Sequence, residues 1–349
     1  MRSDVIDTIQ DGAVKPCIDA HSHYLPSAVL NLLRESGSKF GTPVETNGDG
    51  KTFVVTPERP YGPIGANFHD IALRRQYLDK WGIATQILVP PPFLFYYWST
   101  AKDTHTVIRM VNDSIAEAVR GHPGTFGGVG TVPMGDAVAA VQECEFVKRN
   151  GLQGVVIGSN INGRDLDDER FWPIYEALEA LELAVFIHPN NVIGGDRVRE
   201  FHLKNLIGFP SDTTLAAARL IFSGTLDRFP KLRICLGQAG GFLPYIIGRL
   251  DHGFQVRPEC RKHGCSEPST YLRRFYYDTI IHGSGPLSFL IGSVGSDRVM
   301  FGSDFPFDMQ SFVSRDQIDE VPALTDSDLQ NIYLNTARRF YGLPSARVS

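Results

Sequence analysis

No run of the chain approaches the ~18 consecutive apolar residues of a membrane-spanning helix, so no span is expected. Basic residues are neither in excess nor clustered. The 34 Lys and Arg stand against 39 Asp and Glu for a formal net charge of −5, which removes the electrostatic footprint of a nucleic-acid-binding protein. Cysteine is scarce: five residues (Cys17, Cys144, Cys235, Cys260, Cys265), an odd number with no CxxC pair, argue against a disulfide scaffold. Cys260 and Cys265 flank His263 in a polar loop, but three candidate ligands fall short of a structural zinc site. The opening stretch MRSDVIDTIQDGAVKP lacks the apolar core of a secretory signal, and with reduced cysteines it predicts a cytoplasmic protein.

With 42% hydrophobic and 21% charged residues, the 349-residue chain holds enough apolar material for a large core. Eight short apolar runs recur along it, at 16–24, 84–92, 126–134, 151–160, 183–191, 232–241, 275–283 and 298–307. They alternate little between polar and apolar, as strands buried on both faces of a parallel sheet do. Segments of helical period lie between them, at 67–82, 105–122, 136–151, 167–182, 212–230 and 286–297, and a closing helix is expected over 326–343. Eight strands alternating with helices predict an α/β fold, a (β/α)8 barrel forming a single domain over 1–349. A Gly/Pro-rich segment at about 36–66, with the alternating run KTFVVTP, reads as a small flap inserted after strand 1.

Catalytic groups of such barrels sit at the C-terminal ends of the strands. Strand 1 ends in Asp19-Ala20-His21-Ser22-His23, and side chains two apart on a strand share a face, so His21 and His23 can reach one ion. Strand 5 ends in His188 and strand 8 in Asp304. Three imidazoles and a carboxylate converge on one barrel mouth, a donor set suited to Zn2+ and compatible with Mn2+ or Fe2+.

The segments IDAHSHYLP, IHPNNVIGG, SGTLDRFPKLRICLGQAGGFLPYIIGRLDHGF and DRVMFGSDFPF together resemble the amidohydrolase superfamily, and within it the aminocarboxymuconate-semialdehyde decarboxylase group. The resemblance runs nearly end to end. It implies a distorted barrel with one divalent metal per chain, held by His21, His23, His188 and Asp304. The strand 4 residue that bridges two metals in binuclear relatives has no counterpart in VVIGSN. Decarboxylases of this group carry a histidine after strand 6, where this chain has Gln238. Glutamine orients a reacting group but takes up no proton near neutral pH, which leaves Asp304 as the proton carrier.

The same resemblance places Arg249 and Arg257 on a substrate carboxylate, from a neighbouring subunit, and Arg59 of the flap on the same substrate. Guanidinium forks bind carboxylates bidentately, which gives these placements a physical basis. A homodimer or higher homo-oligomer acting on a small anionic substrate follows. Phe201 stands where relatives have a pocket tryptophan. The aromatic run PPPFLFYYWST reads either as pocket wall or as loop packing. His252 and His282, near barrel loops, are candidate substitutes for the lost base, and Asp278 is a candidate hydrogen-bond partner of a metal-bound histidine. The expected activity is metal-dependent, non-oxidative decarboxylation of a small aromatic or unsaturated carboxylic acid. Hydrolysis of an amide, ester or lactone with Asp304 as base is the alternative, and a non-catalytic binding protein on the same scaffold is a third reading.

Overall fold

The computed structural model describes residues 16–99, 101–310 and 314–344. The opening stretch read for a signal therefore lies outside the described residues. Eight parallel strands run in sequence order: β1 (Cys17–His23), β2 (Ile83–Val89), β3 (Phe126–Thr131), β4 (Gly154–Ile157), β5 (Ala184–Ile187), β6 (Arg233–Leu236), β7 (Phe275–Asp278) and β8 (Val299–Met300). Seven fall inside the eight apolar runs, and β2 starts one residue before its run. Beyond Met300 the chain continues alongside β1, with Ala20 N donating to Phe301 O at 2.8 Å and His23 N to Phe305 O at 2.6 Å. Those bonds close the sheet into a barrel, the expected architecture.

The outer layer contains α1 (Ser27–Phe40), α2 (Ile71–Trp81), α3 (Ala101–Gly121), α4 (Ala137–Arg149), α5 (Trp172–Ala180), α6 (Phe209–Phe222), α7 (Leu243–Val256) and α8 (Ser284–Val294). Asp70 and Asp136 cap α2 and α4, their carboxylates accepting from the backbone of Leu73 and Ala139. Two of these helices are absent from the periodic segments read in the sequence. α1 buries Val29, Leu30, Leu33 and Phe40, and α7 follows the strand 6 turn. The predicted helix over 212–230 instead starts at Phe209 and stops at Phe222, where Ser223 and Gly224 break it before a separate turn, Thr225–Arg228.

Because α1 runs to Phe40, the inserted flap begins at Gly41 rather than near residue 36. It is a three-stranded antiparallel sheet, Val44–Thr46, Thr52–Val55 and Pro60–Tyr61, and KTFVVTP supplies its middle strand. The barrel interior and the helix layer share one apolar cluster that includes Cys17, Cys144 and Cys235. Among the described residues no helix is long and apolar enough to cross a membrane.

Candidate metal centre

Between Asp19, which pairs with Gln86, and Ser22, which pairs with Leu88, β1 carries one extra residue relative to β2, so a bulge falls at Ala20 and His21. Bulges re-aim side chains, and here His21 and His23 lie side by side, their Nε2 atoms 3.2 Å apart and both residues fully buried. His188 follows β5. Its Nδ1–H donates to Pro189 O at 2.8 Å, which leaves Nε2 free for a ligand. Asp304, in a left-handed conformation with φ 58°, brings Oδ1 to 3.0 Å from His23 Nε2 and 3.6 Å from His21 Nε2.

One ligand atom from each of these four residues lies within 4.8 Å of every other. Bonds of about 2.0–2.2 Å in a tetrahedral array set ligand atoms roughly 3.3–3.6 Å apart, a spacing close to the contacts here. Three imidazoles and a carboxylate also suit a borderline-soft divalent ion, so the residues fit the single metal expected. Among the described residues no other group of three His, Cys, Asp or Glu side chains has such a spacing. Cys260, His263 and Cys265 do not form such a group, and Cys265 Sγ donates to Cys260 O at 3.6 Å.

Burial and charge divide the histidines. Burial, with the neighbouring His23 and His21, holds His188 well below its ordinary pKa. Burial lowers His23 against the pull of Asp304. Burial also presses His21 down, but the hydrogen bond and charge of Asp278, with the charges of Asp304 and Asp19, together leave His21 raised. Burial pushes the Asp304 carboxyl up, yet the bond from His23 and the three imidazoles hold it below the usual carboxylate range. A metal requires neutral imidazoles beside an ionised carboxylate, states that these shifts favour at His188, His23 and Asp304 and oppose at His21.

Asp278, ending β7, accepts the Nδ1–H of His21 on Oδ2 at 2.7 Å. The same oxygen takes the backbone N–H of Gln238 at 3.1 Å, and Oδ1 takes those of Ala239 at 2.7 Å and Ile280 at 3.1 Å. Asp278 therefore anchors both a metal-facing histidine and the strand 6 turn. In that turn Gln238 and Ala239 adopt φ of 51° and 54°, followed by two left-handed glycines, Gly240 and Gly241. The Gln238 side-chain oxygen is buried without a hydrogen-bond partner.

A cavity of about 690 Å³ opens onto this cluster, lined by His188, Gln238 and Asp304, with Arg59 and Tyr61 of the flap and His282 after β7. Phe209, Phe289 and Phe307 supply apolar wall. The Arg59 guanidinium lies 4.4 Å from the Tyr61 ring centre, and its Nε is buried without a partner. The structure thus brings Arg59, Gln238 and Asp304 to one space. Arg249 and Arg257 are exposed and outside the cavity of their own chain; Arg257 pairs with Glu259 at 2.8 Å. Phe201 is 80% exposed and lines no part of the cavity, whereas the next residue, His202, does. His252 also lies outside it. Among the described residues of the aromatic run only Pro92 lines the cavity. Phe93, Phe95 and Tyr96 are core, with Tyr96 Oη bonded to Thr42 Oγ1 at 2.6 Å, so the loop-packing reading describes them.

An eight-stranded parallel barrel that gathers three histidines and an aspartate at its strand ends defines the metal-dependent barrel enzymes. More particularly, the chain belongs to the amidohydrolase family, whose profile matches residues 18–343. It is similar to 2-amino-3-carboxymuconate-6-semialdehyde decarboxylase of Dictyostelium discoideum, 33% identical over 93% of this chain and 91% of that protein. Among solved structures, its fold matches the apo form of Metarhizium anisopliae IDCase with a TM-score of 0.84 at 22% identity, over 94% of this chain and 97% of that one. Dihydroxybenzoic acid decarboxylase from Polaromonas sp., solved with bound manganese and 2-nitroresorcinol, matches with a TM-score of 0.77 at 25% identity, over 95% and 98%.

Proposed function

We propose that the protein is a metal-dependent carboxy-lyase that removes CO2, without net oxidation, from a small aromatic or unsaturated carboxylic acid. The observation that carries this reading is the shared cavity of Arg59, Gln238, Asp304 and the histidine cluster, in a chain whose nearly full-length relative is a decarboxylase. A divalent ion held by His21, His23, His188 and Asp304 would supply Lewis acidity toward the substrate's oxygens; zinc is the ion proposed, and manganese is bound in a related structure. Arg59 grips a carboxylate or neighbouring oxygen through its fork of donors. Gln238 orients the reacting group by hydrogen bonding. Asp304, a carboxylate at rest, picks up a proton as substrate enters and delivers it to the carbon that loses CO2. The solvent proton consumed balances the bond broken.

Arg249 and Arg257 enter this scheme only from a second copy, because neither reaches the cavity of its own chain. The proposed assembly is therefore a homodimer or larger. Phe201 contacts substrate only if its loop closes over the bound acid. Five unpaired cysteines support a cytoplasmic setting.

The test is CO2 release from a panel of ring and diene carboxylic acids by wild type, Gln238→His and Asp304→Asn. Turnover by wild type, greater turnover by Gln238→His and loss in Asp304→Asn are expected. No CO2 from wild type or Gln238→His, with hydrolysis of amide, ester or lactone substrates instead, would overturn the reading.

A further inference from the structure

A chain of buried polar groups beside the metal centre is used by none of the roles above. Arg74, on α2, is fully buried. Its Nη1 donates to Gln86 Oε1 at 2.8 Å, and its Nη2 to the carbonyls of His23 and Asn67 at 2.5 and 3.1 Å. The rings of Phe305 and Tyr24 lie 4.8 and 5.5 Å from the guanidinium carbon. Gln86, on β2, continues the chain: its Nε2 donates to Asp19 Oδ2 at 2.7 Å, and the same oxygen accepts from Ser303 Oγ at 2.6 Å. Asp19 Oδ1 accepts the backbone N–H of Ser303 at 3.0 Å and of His21 at 3.3 Å.

The network therefore ends on the backbone of His21, on the carbonyl of His23, and on the two residues flanking Asp304. His188 alone lies outside it. A buried guanidinium whose hydrogen bonds go to uncharged oxygens, with the nearest carboxylate one side chain away, is a poor device for stability. An apolar residue of similar length would fill the space without the desolvation cost. Its bonds are instead well suited to specifying one arrangement of the strand ends they touch.

We infer that Arg74, acting through Gln86 and Asp19, is a positioning residue that sets the direction of three of the four metal ligands. The inference rests on the metal centre and holds whichever reaction occurs there.

The experiment loads wild type, Arg74→Met, Arg74→Lys and Gln86→Leu with Co2+. It measures the dissociation constant by chelator competition, the visible absorption of the bound ion and the thermal midpoint. Leu178→Ala, a cavity in α5, serves as a variant destabilised elsewhere. Arg74→Met and Gln86→Leu are expected to bind Co2+ at least ten-fold more weakly with an altered spectrum, and Arg74→Lys to recover part of both. Leu178→Ala is expected to lower the midpoint while leaving affinity and spectrum unchanged. If Arg74→Met does not fold, Gln86→Leu decides, since it cuts the same chain at another link. Folded variants with wild-type affinity and spectrum would overturn the inference alone. A wild type that takes up no Co2+ would overturn the metal centre as well.

Discussion

Asp278 accepts the Nδ1–H of His21 at 2.7 Å, and so fixes which nitrogen of that ring faces the metal centre. Its remaining lone pairs are occupied by the backbone of Gln238, Ala239 and Ile280. Asp278→Asn presents an amide where two carboxylate oxygens accepted four donors, and weakens both the ring orientation and its basicity. Loss of such a partner typically costs about 10–100-fold in metal affinity. Chelator competition on the purified variant measures this directly; an affinity equal to wild type would remove Asp278 from the site.

His188 contributes one ligand from a strand that no other ligand shares. Wild type is expected to carry about one equivalent of a divalent metal per chain, and His188→Ala to lose most of it. Mass spectrometry of the purified proteins reads the content. Stripping the metal should also lower the thermal midpoint, because an ion that binds only the folded state stabilises it by mass action.

Arg59 holds its guanidinium over Tyr61 with Nε unpartnered. Arg59→Lys keeps the charge but loses the planar fork. Hydrogen bonds to charged groups contribute about 1.5–3 kcal/mol, so kcat/KM for a carboxylate substrate should fall by roughly 10–100-fold. The loss should sit mainly in KM. An unchanged KM would place the substrate's anionic group elsewhere.

Gly154 opens β4 directly against β5, and a Cβ there would lie 2.2 Å from the Ala184 carbonyl oxygen. That oxygen belongs to the backbone and cannot swing aside. Gly154→Ala is expected to cost about 3 kcal/mol or more, at the upper end for overpacked sites. Urea unfolding measures it, and the metal ligands of any folded fraction should be unaffected.

Much of the site was legible because the ligands lie at or just beyond strand ends: His21 and His23 in the last part of β1, His188 directly after β5 and Asp304 shortly after β8. His21, His23, His188 and Asp304 could be assigned from strand order alone, since the C-terminal ends of a parallel barrel all open on one side. The helices α1 and α7 were less visible. α1 lies beside the Gly/Pro-rich insert, and α7 follows a glycine turn that reads as loop. Arg74 was hidden for a different reason: a charged residue on an amphipathic helix is ordinarily solvent-facing. Gln86 is one polar residue inside the apolar run ATQILVPPP, and nothing local reveals its partner.

The sequence by itself pointed to the barrel and to His21, His23, His188 and Asp304 at one mouth, because strand periodicity and strand-end chemistry are local properties, whereas Gln238 in place of a histidine was read from the family resemblance. Only the tertiary structure decided that Arg59 shares the cavity while Arg249, Arg257 and Phe201 do not. It also decided that Asp278 holds His21, and that Asp19 joins Ser303 across 284 positions of sequence. Those contacts form when the barrel closes β8 onto β1, and no local pattern encodes the pairing of groups so far apart along the chain.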